Sequence, residues 1–192
     1  MTAQRLARLT ELLATAGFDA LALNPGPSLN YLTGLSFHLM ERPVVLLISP
    51  KTQPVIVLGE LEAGKVQAAS IPLHAITYSD NPGTWAQAFQ QAAQAAEIDH
   101  LKVAVEPTRL RILELQFLQN AAPHAQYLPG ETALAQLRLH KDADEIAAMR
   151  QAALIAQRAL KATLPAVRAG VSERDLASEL TANLLRCGCV AE

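Results

Sequence analysis

The stretch Leu137–Ala153, LRLHKDADEIAAMRQAA, constrains what this chain can fold into more than any other. Before it, short β-branched runs alternate with helical patterns; after it, every pattern is helical. Asp142 has the side chain of a helix N-cap, and Glu145 stands three residues on, where a capping-box partner belongs. Asp144 and Glu145 add negative charge to the first turn, where the helix dipole favours it. Ile146, Met149, Ala153, Ala156 and Leu160 then recur at spacings of 3 and 4, an apolar seam along a long helix. A new helix, and with it a new domain, is expected to begin between Leu137 and Asp142. Residues 1–140 would form one domain and residues 141–192 the start of another.

The second part reads as two helices. Pro165 is expected to end the first near Leu164. Ser172 with Asp175 resembles a capping box with Asp in place of Glu, and Val171 and Leu176 occupy the staple positions. Leu176, Leu180 and Leu184 continue one face as far as Cys187-Gly188. Two amphipathic helices leave apolar surface uncovered. The sequence is therefore expected to stop short of a whole second domain, and the exposed faces to pair in a homodimer through the small residues Ala153 and Ala156.

The first part opens with an amphipathic helix, Ala3 to Ala16, with Leu6, Leu9, Leu12 and Leu13 on one face and Gly17 as its stop. A short strand, Phe18 to Leu23, breaks at Asn24-Pro25-Gly26-Pro27, and Ser28 is expected to cap a short helical turn closed by Gly34. Val44–Ile48 and Val55–Leu58 predict an antiparallel hairpin. Helices are expected over Leu61–Ala69, Thr84–Glu97 (with Trp85 and Phe89 inward), Thr108–Leu118 (with Leu110, Leu113 and Phe117 as its stripe) and Glu131–Leu139. Strands are expected over Leu73–Tyr78, Leu101–Val105 and Gln126–Leu128. Alternation of this kind implies an α/β fold, a mixed β-sheet sandwiched by helices.

Few chemical classes survive the composition. A formal net charge of −2 gives no electrostatic grip on nucleic acid or an anionic membrane. No run of about 18 apolar residues exists, and the amphipathic N-terminus lacks the apolar core of a signal peptide. Cys187 and Cys189 are too few and too close for a disulfide framework, so a reduced, cytoplasmic setting is expected. His38, His74, His100, His124 and His140 show no partner at metal-ligand spacing, and no HExxH, GxSxG, P-loop or GxGxxG occurs. The carboxylates at 142–145 and 173–179 read as helix N-terminal charge, and Arg109 and Arg111 as a solvated face. The residues by themselves name no active site. Without a glycine-rich strand-to-helix loop, a nucleotide-binding reading is disfavoured.

Three motifs carry a resemblance. Asn30-Tyr31-Leu32-Thr33-Gly34 resembles the N-Y-L-T-G signature of the creatinase/prolidase N-terminal domain. Arg138, Lys141, Glu145, Ile146 and Met149 resemble the family's entry into its catalytic domain, and Gly170-Val171-Ser172-Glu173 resembles its G-x-[ST]-E turn. The family is that of the Xaa-Pro peptidases, prolidase and aminopeptidase P, with creatinase as a non-peptidase relative (metallopeptidase M24). The resemblance implies a ribonuclease H-like N-terminal domain followed by the first two helices of a pita-bread catalytic domain. It also implies, for the full-length family, two divalent metals (Mn, Co or Zn) held by two Asp, one His and two Glu, with a bridging hydroxide attacking the peptide carbonyl. Those ligand motifs lie beyond the matched helices. No metal ligand or catalytic residue is carried over, and this chain is expected to bind no cofactor and cleave no peptide alone.

By the same resemblance, the N-terminal domain acts in dimerisation and lends a loop to the mouth of a neighbouring active site. The loop Leu35–Arg42 is the candidate lip, with Phe37, His38 and Arg42 as substrate-facing candidates and Asn30, Tyr31 and Gly34 as structural signature. Tyr31 is expected to be a buried anchor. The competing reading is a free-standing binding or dimerisation module.

Overall fold

A computed structural model of the chain describes residues 2–190. They divide between Leu139 and His140 into two compact units.

The first unit is built on one six-stranded sheet. Its strands are β1 (Ala20–Leu23), β2 (Val45–Ile48), β3 (Val55–Gly59), β4 (His74–Tyr78), β5 (Lys102–Val105) and β6 (Gln126–Pro129), in the order β4-β3-β2-β1-β5-β6. The β2–β3 hairpin is antiparallel, with Leu46 opposite Ile56, and β1 also runs antiparallel to β2. β1–β5, β5–β6 and β3–β4 are parallel. The middle strands are buried at every residue because both faces are covered.

Alternation sorts their side chains. Ala20, Ala22, Val45, Leu47, Val55 and Val57 face one layer: helix α3 (Trp85–Ala95) with Ala88, Phe89, Ala92 and Ala93, and helix α4 (Ile112–Ala121) with Leu118. Leu21, Leu23, Leu46, Ile56 and Leu58 face the other. There helix α1 (Thr2–Thr15) brings Leu9 and Leu13, α2 (Pro27–Thr33) brings Leu29 and Leu32, and α5 (Glu131–Leu139) brings Ala133, Leu134 and Leu137. The second layer approaches the sheet closely before α5, where a Cβ on Gly130 would lie 2.5 Å from that of Ala104.

Three local expectations are corrected. Ser28 does not cap α2: Gly26 holds the cap position, and the serine hydroxyl is spent on Glu106. The helix expected from Thr108 starts at Ile112, because the Arg109 and Leu110 amides both close a turn onto the Glu106 carbonyl. Its buried residues are Glu114 and Leu118, with Leu110 and Phe117 packed partly beneath. Residues Glu60–Ala68 form 3-10 turns with no buried side chain rather than an α-helix.

The second unit contains α6 (Ala143–Thr163), a 3-10 turn at Leu164–Ala166 and α7 (Glu173–Arg186). The capping box forms: the Glu145 amide donates to Asp142 Oδ1 and the Asp142 amide to Glu145 Oε2, each at 2.8 Å. At α7 the Asp175 amide donates to Ser172 Oγ, whose hydroxyl donates to the Asp175 carboxylate. The helices meet on a face other than the predicted seam. Ala159 and Thr163 are buried, and Asn183 is buried beside them, its Nδ2 donating to Thr163 Oγ1 at 3.1 Å. Ile146, Met149 and Leu160 of the seam stay exposed. Small residues let the helices approach, and a buried amide then needs its partner.

Candidate functional site

Parallel β1 and β5 end side by side, and in open α/β sheets the carboxyl ends of strands are where clefts form. Asn24 follows β1. Its side chain is buried, and among the described residues neither amide atom has a hydrogen-bond partner. Glu106 follows β5; its Oε1 accepts from Ser28 Oγ at 2.7 Å, while its buried Oε2 has no partner among the described residues. The Arg109 side chain crosses over Gly26, 3.4 Å from where a Cβ would stand. In the sequence Ser28 reads only as a helix cap and Arg109 as a solvated face, and nothing marks Glu106, or Asn24 beyond the turn it opens.

The tyrosine signature leads out of this end of the sheet. Gly34 closes α2 in the left-handed region (φ 73°), its amide donating to the Asn30 carbonyl at 2.7 Å. Asn30 Nδ2 donates to the Leu35 carbonyl at 3.3 Å and so aims the next segment. The half-buried ring of Tyr31 lies under the Arg5 guanidinium, 4.2 Å from its centroid, and Arg5 also donates to the Tyr31 carbonyl. Tyr31, expected to be buried, is half-buried, with its ring and its carbonyl both in contact with Arg5 of α1.

The loop 35–42 is stapled along its length. Leu35 and Phe37 are buried in the core, with Lys65 Nζ 5.2 Å from the centroid of the phenylalanine ring. Phe37 is accordingly corrected from a substrate-facing position to a foundation: in an extended loop alternate residues turn inward, and Phe37 is one of them. His38 is exposed, followed by exposed Leu39, Met40 and Glu41. Arg42 is half-exposed, its Nε 2.8 Å from Asp80 Oδ1. The Tyr78 hydroxyl donates to the Pro43 carbonyl at 2.6 Å, and burial pushes its pKa well above the ordinary tyrosine range, with Glu62 adding to the rise.

Arg111 joins this loop to the core. Its guanidinium holds both carboxylate oxygens of the fully buried Glu114, with Nε at 2.9 and 3.1 Å, and it donates through its other arm to the Met40 carbonyl. The hydrogen bonds to Glu114 raise the arginine pKa further. Arg111 was expected on a solvated face; the partner that buries it is one turn on, hidden in an apolar stripe. The site therefore presents a rigid base with a short exposed tip carrying His38 and, beside it, Arg42. Such a tip can offer an imidazole and a positive charge to a partner. It holds no nucleophile paired with a base.

At the opposite end of the sheet the fold joins residues that looked unconnected in sequence. Asp99 and His100 precede β5, and His124 precedes β6. Their ligand atoms all lie within 4.8 Å of one another, all three residues being exposed. No histidine has a partner at metal-ligand spacing in the sequence; parallel pairing of β5 and β6 brings these two exposed turns together in space. One carboxylate and two imidazoles on surface turns do not fit the two-Asp, one-His, two-Glu set implied for paired catalytic metals. No step through those metals is assigned to this chain.

The family of the creatinase/prolidase N-terminal domain matches residues 5–140. The Bacillus subtilis (strain 168) protein "Putative dipeptidase YkvY" is 28% identical over 96% of this chain and 50% of its own length. A Lactobacillus helveticus Xaa-Pro dipeptidase is 24% identical over 91% of the chain and 48% of its own. Among solved structures, the Xaa-Pro dipeptidase from Bacillus anthracis superposes with a TM-score of 0.82 at 21% identity, covering 100% of this chain and 51% of that one. A dipeptidase from Pyrococcus horikoshii OT3 gives 0.80 at 26% identity, over 95% and 49%. The chain spans about half the length of the curated relatives it matches. Among the described residues no helix is long and apolar enough to cross a membrane. With its sheet order, its stapled tyrosine signature and a match from residue 5 to residue 140, the chain belongs to the creatinase/prolidase N-terminal domain family.

Proposed function

We propose that this chain is the N-terminal half of a metal-dependent cytoplasmic hydrolase of peptide bonds preceding proline, and that alone it cleaves nothing. The observation that carries this reading is the match of residues 5–140 to the family, together with relatives of twice the length named as dipeptidases. On this reading, residues 141–192 begin the catalytic domain, whose metals supply the activated water. The first unit lends its tip to the mouth of a neighbouring subunit's active site. His38 there meets the substrate side chain, and Arg42 exchanges Asp80 for a substrate carboxylate.

The exposed seam of α6 supports an oligomerisation role. Ile146, Met149 and Leu160 are 40%, 58% and 54% exposed, so each would gain roughly half of the 1.5–3 kcal/mol that burying such a side chain completely is worth. In the longer protein this face packs on the catalytic sheet; in this chain by itself it pairs with a second copy about a two-fold axis.

The test is to express the full reading frame beyond codon 192 and to assay Xaa-Pro dipeptides with added Mn²⁺. Cleavage by the long product and none by the 192-residue chain is expected. In the long product His38→Ala and Arg42→Ala should raise KM more than they lower kcat. A stop codon directly after Glu192, with a chain that still binds a partner, would favour the free-standing module instead.

A further inference from the structure

We propose that Asp99, His100 and His124 form a surface zinc site, at the end of the sheet remote from the 35–42 loop. The proposal is independent of the hydrolase reading. It begins with how firmly the turn is built. Glu97 and His100 both adopt left-handed backbone, with φ of 51° and 66°, although neither is glycine. Such a turn lets consecutive Asp99 and His100 serve one point on the surface. Asp99 is then clamped to the neighbouring turn: its Oδ1 accepts from the His124 amide at 2.9 Å, and its Oδ2 lies 3.0 Å from His124 Nδ1. The same Oδ2 lies 3.6 Å from His100 Nε2.

The two imidazoles stack face to face, centroids 4.4 Å apart and 10° from parallel. The cluster thus offers two imidazole rings beside one carboxylate. That is a ligand set of borderline-soft nitrogen and hard oxygen suited to zinc. Tetrahedral zinc with bonds of about 2.0 Å needs ligand atoms about 3.3 Å apart. The two separations measured from Asp99 Oδ2, 3.0 and 3.6 Å, bracket that value. All three ligand atoms fall within 4.8 Å, so closure asks only that two exposed rings tilt out of their parallel stack. For zinc to bind, His124 moves its ring proton from Nδ1 to Nε2, giving up its side-chain hydrogen bond to Asp99 Oδ2, and the freed lone pair goes to the metal; the His124 amide still holds Asp99 Oδ1. The fourth position opens onto a depression lined by Lys51, Gln94 and Glu97, where water completes the shell.

The closing experiment titrates ZnCl2 into the 192-residue chain carrying Cys187→Ser and Cys189→Ser, which removes the thiols as competing ligands. Calorimetry and imidazole NMR are expected to give one zinc per chain at micromolar affinity, with both ring signals shifted together and the melting temperature raised. His100→Ala leaves the Asp99–His124 clamp in place and so keeps the fold; it should weaken binding at least about tenfold. His100→Ala with His124→Ala should abolish it. Absence of binding to the parent protein at millimolar zinc, or binding that the double variant leaves unchanged, overturns the proposal.

Discussion

Replacing Arg111 by Met would strand a carboxylate in the core. Glu114 is 0% exposed, and Arg111 provides its described hydrogen bonds, three from one guanidinium. Removing one partner of a buried pair costs about 3–5 kcal/mol, because the remaining charge is neither hydrated nor compensated. The Arg111 side chain is itself 30% exposed, so water can reach part of the vacated space. The cost is therefore set at the lower end, about 3 kcal/mol. Arg111→Met with Glu114→Leu removes both charges, fills the space with apolar volume and should recover at least about half of that loss. Trp85 is the sole tryptophan and packs against Phe117, one turn along α4 from Glu114. Urea unfolding followed by its fluorescence therefore reads the first unit alone. Loss of under about 1 kcal/mol in R111M would refute the reasoning. So would a double variant no more stable than R111M, because the pair would then not be what α4 depends on.

Tyr78 and Tyr127 are both raised by burial above the ordinary tyrosine value of about 10. Above that pH the unfolded chain releases protons that the folded chain keeps, so stability should fall as pH rises beyond it. Tyr127→Phe should flatten that decline in urea midpoints measured between neutral and strongly alkaline pH; an unchanged slope would remove burial as its cause. Asp142→Ala should cost the second unit about 1 kcal/mol by opening the capping box, seen as faster amide exchange in the first turn of α6, whereas Asp142→Asn should cost little. Met149→Asp should turn a sedimenting dimer of this chain into a monomer at micromolar concentration; a parent chain already monomeric would sink the pairing of the α6 seam.

Local pattern determined most of the architecture. The hairpin, the α/β alternation and the capping box at Asp142 were all legible because each depends on neighbours within a few residues: alternation in a strand, a cap and its third residue in a helix. The N-Y-L-T-G signature was legible only through its resemblance to a known family; the structure adds that the Gly34 amide donates to the Asn30 carbonyl and Asn30 Nδ2 to the Leu35 carbonyl. What tertiary structure decided lies wherever a partner comes from a distant strand. Asp99 and His124 look unrelated until β5 and β6 pair in parallel. Phe37 reads as an exposed loop residue until the fold buries it in the core layer that also holds Leu29, Leu32 and Leu46. Arg111 reads as a surface charge until Glu114 is found inside the core. On α6, spacing selected the seam with the largest side chains, while the fold used Ala159 and Thr163, where small volume lets a second helix approach and Asn183 finds its hydrogen bond. Hydrophobic period records which faces want burial. It does not record which neighbour arrives, because contact depends on distances between elements that no short stretch of sequence contains.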